Sequence, residues 1–236
     1  MGLSLKSCRN IIDGTFRAMV RDARKHGIGE KDHFTNLEWA RIIISPKPDP
    51  FTAEDRDAIL KHFKEKYIFY YPFLLTLFGT GARPSEIIAL RWSDVDLKSG
   101  IMSITKSRYM DTDSPTKTVG SEREIVVAES VVSALRSVRP LHITENDFVF
   151  KNQEGHPIKA DKWRGKYWCR ALRACNIRPR KFYATRHTFI SDALSQGLNI
   201  KWIAEYCGTS VAMIEKHYGR YIRERFQGAI RAAFRG

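Results

Sequence analysis

The sequence predicts an α+β fold, mainly α-helical with a small antiparallel β-sheet, and three observations carry that reading. Apolar residues recur at helical spacing along much of the chain, as in Ile11, Ile12, Phe16, Met19, Val20 and Ala23. Between Asp94 and Val127 no such stripe exists, and two β-leaning runs, 101–105 and 124–127, flank a polar link containing Pro and Gly. A proline at every second position in Ile44-Ser45-Pro46-Lys47-Pro48-Asp49-Pro50 forbids helix and marks an extended connector. The chain therefore divides into a helical segment 1–43, a Pro-rich linker 44–50 and a larger domain 51–236.

The elements follow in order. Residues 1–26 form a helix that Gly27 ends, and its apolar stripe has no partner of comparable length before the next break. That predicts packing against a longer N-terminal region, as in a fragment of a longer protein. Thr52-Ala53-Glu54-Asp55 opens a helix carrying Ala58, Ile59, Leu60 and Phe63. The run 67–78 is apolar nearly all round and reads as a central buried helix. Gly79 to Ala82 break it, and Pro84 opens the next helix. The β-leaning runs form a hairpin or small antiparallel sheet with a long, mobile connection. Residues 130–138 form a short helix, 148–150 a strand fragment, and 161–175 a helix interleaving Trp163, Tyr167 and Trp168 with cations. A helix spans 184–196 with Gly197 as its C-cap, and Asn199 caps another that ends near Cys207-Gly208. Ser210 caps a third, short helix presenting His217 and Tyr218. A separate terminal helix carries Ile222, Phe226, Ile230 and Phe234 at i+4 spacing.

Charge bounds the partner. Lys plus Arg total 40 against 26 for Asp plus Glu, a formal +14, with a pI near 9.8. A surplus of this size points to a polyanion, and nucleic acid is the default. No window approaches a membrane span and no signal segment opens the chain, which predicts a cytoplasmic protein with no membrane partner. Cys8, Cys169, Cys175 and Cys207 lack CxxC spacing, and the histidines lack HExxH or paired metal spacing. GxxxxGK[ST] and GxGxxG motifs are missing too, so no cofactor is expected.

Chemistry concentrates in 180–221, where Arg186, His187, Lys216, His217, Tyr218 and Arg220 crowd together. Cations holding non-bridging oxygens, a phenol as nucleophile and a lysine as acid can break a phosphodiester. Arginine suits the clamp because its planar fork makes paired charge-assisted bonds. A phenol needs a cationic field to ease its ionisation. Tyr183, Tyr206, Tyr218 and Tyr221 all stand near arginines, and spacing does not choose among them. Arg83 stands beside a helix N-terminus, where free N–H groups favour a phosphate. The more ordinary reading of that arginine is a surface pair with Glu86. Lys117 reads by itself as a solvated strand lysine.

The ordered words Thr80-Gly81-Ala82-Arg83-Pro84-Ser85-Glu86 through Leu90-Arg91-Trp92, Tyr183-Ala184-Thr185-Arg186-His187, and Cys207-Gly208-Thr209-Ser210 through His217-Tyr218 carry a resemblance. Over 51–236 the chain resembles the catalytic domain of the tyrosine recombinases, the phage-integrase family, and 1–43 resembles the end of that family's helical core-binding domain. The resemblance implies that Arg83 and Arg186 clamp the scissile phosphate, that Lys117 is the general acid, and that Tyr218 forms a 3′-phosphotyrosyl linkage. It also implies strand exchange without ATP or metal on double-stranded DNA. The expected assembly is a homotetramer built through the C-terminal helix, in a phage or prokaryotic nucleoid setting, with accessory DNA-bending proteins. Further DNA contacts are assigned to Arg164, Lys166, Arg170, Arg173, Arg180 and Lys181.

Two positions depart from the family pattern. Tyr183 stands where H-x-x-R has its histidine, and Thr209 where histidine or tryptophan is usual. Both can donate a hydrogen bond to phosphate, but neither is an imidazole. His187 and His217 read as packed structural histidines. Two other functions stay open: a duplex-binding module whose site has decayed at Tyr183 and Thr209, and a topoisomerase-like enzyme that nicks and reseals one strand.

Overall fold

A computed structural model describes residues 2–29, 39, 48–110, 112–115, 122–144 and 146–233. The chain separates into two compact units, Met1–Lys47 and Pro48–Gly236. The first unit contains α1 (Leu5–Arg9), a π-helical stretch (Asn10–Phe16) and α2 (Arg17–Lys25). Ser4 caps its start by accepting the Ser7 N–H. Asp13 ties this helix to Trp39 and pairs with Arg9 and Arg17. Ile11, Phe16 and Met19 of the apolar stripe are exposed. Residues 44–47 of the expected linker lie outside the described residues.

The second unit begins as expected. Thr52 accepts the Asp55 N–H at 3.1 Å and starts α3 (Ala53–Lys66). A 3₁₀ turn (Ile68–Tyr70) follows, then α4 (Tyr71–Thr80), whose Phe73, Leu74, Leu77 and Phe78 are buried. Gly81 closes α4 in the left-handed region at φ +59°. Pro84 then takes the first turn of α5 (Pro84–Ala89).

A three-stranded antiparallel sheet comes next, in the order β1 (Val95–Asp96), β2 (Ile101–Ile104), β5 (Arg123–Val126), with Met102 opposite Ile125. The long connection between its arms is not structureless. It contains a second hairpin, β3 (Lys106–Tyr109) with β4 (Thr112–Pro115), in which Arg108 faces Asp113. That hairpin is built from polar residues, so no apolar alternation announced it.

α6 (Glu129–Val138) packs against α4. The expected helix over 161–175 is α7 (Ala160–Trp163), a π turn (Arg164–Trp168) and α8 (Cys169–Ala174). Trp163, Tyr167 and Trp168 enter the main core with Phe51, Phe63 and Phe73, while Arg164, Lys166, Arg170 and Arg173 face solvent. Phe148 of the expected strand fragment makes an isolated bridge with Arg91.

A second core joins the last three helices, α9 (Ala184–Gln196), α10 (Ile200–Cys207) and α11 (Val211–Ala233). Asn199 caps α10 by accepting the Lys201 and Trp202 N–H groups. The expected short helix and separate terminal helix are one continuous element of 23 residues. Gly219 does not interrupt it, since a lone glycine costs a helix only about 1 kcal/mol. Ile222 packs against the second core and Ile230 is exposed, while the side chain of Phe226 and all of Phe234 lie outside the described residues. Among the described residues no helix is long and apolar enough to cross a membrane.

Phe63 is fully buried at the junction of α3 with Trp163 and Tyr67. Phe63→Ala should cost about 3–5 kcal/mol in urea unfolding followed by circular dichroism. A loss below about 1 kcal/mol would show that this core collapses around the missing ring.

Candidate active site

The site is organised by the end of α10. The last carbonyls of a helix have no partner within it, and its C-terminal dipole favours cations. Here three successive carbonyls are taken by three arginines from distant parts of the unit. Arg123 Nε donates to Tyr206 O at 2.7 Å, Arg186 Nη1 to Cys207 O at 2.5 Å, and Arg83 Nη2 to Gly208 O at 2.6 Å. Gly208 makes this possible. It sits at φ +64°, and a Cβ there would stand 2.6 Å from the Arg123 guanidinium.

Arg186 Nη1 also donates to Gly81 O at 2.9 Å, so both of its hydrogens are used. Among the described residues Nε and Nη2 of Arg186 have no partner, which leaves one two-pronged edge for an anion. Gly81 has the same double constraint as Gly208: a Cβ at φ +59° would lie 2.4 Å from the Phe189 ring.

Glu86 lies beneath the arginines and is 2% exposed. Oε1 accepts from Arg83 Nη1 at 2.6 Å, and Oε2 accepts from Arg123 Nη2 at 2.9 Å and from the Arg83 backbone N–H at 2.8 Å. Burial alone would raise this carboxyl, but Arg123 and then Arg83 hold it below the ordinary range. The expected pair between Arg83 and Glu86 thus forms, but on a buried carboxylate rather than at the surface. One of the backbone N–H groups expected there for a phosphate, that of Arg83, donates to the Glu86 carboxylate instead. Burial pushes the Cys207 thiol up to about 11, and its charged neighbours are Arg186, Arg123, Glu86 and Arg83. Three guanidinium groups against one carboxylate leave a net excess of positive charge at this point.

Tyr218 faces the cluster from α11. It is 6% exposed and its Oη lies 2.5 Å from His187 Nδ1. Burial raises the phenol well above its ordinary value, with Arg186 opposing and Tyr183, Cys207 and Tyr221 reinforcing. Burial, Arg186 and His217 lower His187 to about 4, against a smaller opposite effect of Asp49. At neutral pH the phenol is protonated and the imidazole neutral. The O–H therefore donates to Nδ1 in the tautomer that carries its hydrogen on Nε2.

The other expected residues divide. Tyr183 precedes α9, is 38% exposed, and sets its ring edge-on to His187 with centroids 5.2 Å apart. Thr209 is partly buried; its N–H donates to Ala204 O at 2.8 Å, and its hydroxyl has no partner among the described residues. Lys117 lies outside the described residues. Arg164, Lys166, Arg170, Arg173 and Lys181 are exposed. Arg180, also expected to contact DNA, pairs with Asp49 and Asp55 and stacks 4.6 Å over Phe51.

Arg123 and the bridging role of Glu86 were missed. The signal for Arg123 was present: alternation in β5 puts it on the same face as buried Ile125.

These features define a cation cluster with an adjoining phenol on a mainly helical scaffold, and the family comparison agrees. Residues 50–224 match the family model described as the phage integrase family, and the chain belongs to that family. Among particular relatives, it is 27% identical over 201 residues to prophage integrase IntR of Escherichia coli K12, covering 75% of this chain and 48% of IntR. It is 32% identical over 173 residues to IntQ of the same strain, whose name carries the word defective, covering 61% of this chain and 43% of IntQ. The chain thus spans less than half the length of either. The fold matches that of the Tn1549 transposon integrase in complex with transposon right end DNA, with a TM-score of 0.76 at 24% identity, over 96% of this chain and 81% of that one.

The buried Glu86 yields a prediction about stability. Its folded carboxyl titrates below the ordinary 4.5, so its contribution is complete above that value and is lost as pH falls through the folded pKa. Glu86→Ala leaves Arg83 and Arg123 unneutralised and should cost about 3–5 kcal/mol at neutral pH. The variant's urea midpoint should also fall less than the parent's between about pH 5 and about pH 3. Parallel declines would rule out the carboxylate as the titrating group.

Proposed function

We propose that the chain is a site-specific DNA recombinase that cleaves and rejoins strands through a 3′-phosphotyrosyl intermediate. The observation carrying this reading is the arginine cluster on the end of α10 with the Tyr218 hydroxyl beside it. Arg83 and the free edge of Arg186 hold the non-bridging oxygens of a phosphodiester, where negative charge grows as phosphorus becomes five-coordinate. Tyr218 attacks phosphorus, and Lys117 supplies the proton to the departing 5′ oxygen. Tyr183 and Thr209 add hydrogen bonds to the phosphate. The phosphotyrosyl bond stores the energy of the bond broken, so a second 5′-hydroxyl reseals the strand without nucleotide hydrolysis.

Around this centre Arg164, Lys166, Arg170, Arg173 and Lys181 contact backbone phosphates, consistent with the chain's charge. Residues 1–43 belong to a helical core-binding domain, and 44–50 link it to the catalytic domain 51–236. The far part of α11 docks on a neighbouring subunit, giving a homotetramer on DNA.

Tyr218→Phe should abolish covalent capture of a nicked suicide duplex carrying the element's attachment core, while the binding constant from gel shift stays within about twofold. Capture surviving that change would remove Tyr218 from its role. Arg186→Ala should slow capture by about 10²-fold or more. Deleting 222–236 should abolish synaptic assembly in analytical ultracentrifugation with DNA; unchanged assembly would place the tail within its own chain. Supercoil relaxation by the monomer would favour the topoisomerase-like reading instead. Salt-sensitive binding without capture by the parent chain would favour the decayed module.

A further inference from the structure

We infer that His187 accepts the Tyr218 proton during strand cleavage and returns it on rejoining. The inference rests on the strand-transfer reading above and adds a residue to it. Arg186 and His187 are consecutive on α9, so their side chains diverge by about 100° around the helix. Arg186 turns to the carbonyls of Gly81 and Cys207, and His187 turns to α11, where Nδ1 meets the Tyr218 hydroxyl at 2.5 Å. One turn of helix thereby serves both the phosphate and the nucleophile.

The groups around His187 leave it as the acceptor. On its own helix Arg186 is a fixed cation, and Tyr183 at the helix start presents a ring edge. From α11 come His217 and Tyr218. From the segment preceding α3 comes Asp49, whose carboxylate is engaged by Arg178 at 2.6 Å and Arg180 at 3.1 Å. Tyr183 and Thr209 occupy the two positions where the family pattern has an imidazole or indole, and neither hydroxyl is a base at neutral pH. Among the described residues His187 is the imidazole in contact with the phenol.

In cleavage the Oη–P bond forms, the P–O5′ bond breaks and the phenolic proton moves to Nδ1. The 5′ oxygen leaves as an alcohol with a proton from Lys117. In rejoining, the 5′-hydroxyl attacks phosphorus and gives its proton back to Lys117, the P–Oη bond breaks, and Nδ1–H protonates Oη. The weak basicity of His187 in the free chain arises from burial and Arg186. A phosphodiester seated on Arg186 offsets that guanidinium, so the imidazole becomes more basic once substrate is bound.

The test is single-turnover capture of a nicked attachment-core duplex between about pH 5.5 and about pH 9. A matching duplex carries a 5′-bridging sulfur at the scissile bond, which leaves without needing a proton. His187→Gln keeps a hydrogen-bond acceptor but cannot take a proton, and should slow capture by about 10²-fold on both duplexes with unchanged affinity. The acidic limb of the parent's pH profile should vanish in this variant. Lys117→Ala, by contrast, should recover on the sulfur duplex. Added imidazole should restore part of the rate of His187→Ala, which a purely structural histidine would not allow. Capture by His187→Gln within about threefold of the parent, with the same pH profile, would overturn the acceptor role. So would recovery of His187→Gln on the sulfur duplex. A parent chain that captures no DNA would strike the strand-transfer reading itself, and normal parent capture with indifferent His187 variants would strike this inference alone.

Discussion

The structure depends on the satisfaction of one helix end. Buried carbonyls at the terminus of α10 need donors, and leaving any of them unpaired costs about 1–3 kcal/mol. Donors from the β-sheet, from α5 and from α9 all meet that need, because Arg123, Arg83 and Arg186 each reach one of three adjacent oxygens. The backbone thereby gathers cations that would otherwise repel one another. Glu86 offsets part of their mutual repulsion without cancelling it. The same contacts that hold the second core to the first create a fixed positive field, already assembled before any anion arrives.

Much of this was legible. Gly81, Arg83, Arg186, Gly208 and Tyr218 fall in short words whose order is more telling than any single residue, and the boundaries of α9 and α10 follow from glycine and asparagine caps. What escaped reading depended on partners remote in sequence. Arg123 looks like any strand arginine until Glu86, 37 positions earlier, is seen to bury its carboxylate against it. The β3–β4 hairpin escaped because its alternation is polar, with Arg108 set against Asp113 instead of an apolar pair. The division of α11 into two helices gave too little weight to the cumulative packing of Ile214, Tyr218 and Ile222.

The two departures from the family pattern take on a different meaning in three dimensions. Tyr183 and Thr209 flank the arginine cluster without adding an imidazole, yet His187 occupies the space between Tyr183 and Tyr218. A residue that read as packing is therefore the one whose ring nitrogen meets the phenol.

Because α11 runs unbroken from Val211 to Ala233, Tyr218 and Ile230 sit on the same rod about 18 Å apart at 1.5 Å per residue. A stiff rod has no joint at which motion of its far end is absorbed. Between them, at Ile222, the rod packs against the second core. The phenolic oxygen thus shares one unbroken element with the exposed Ile230.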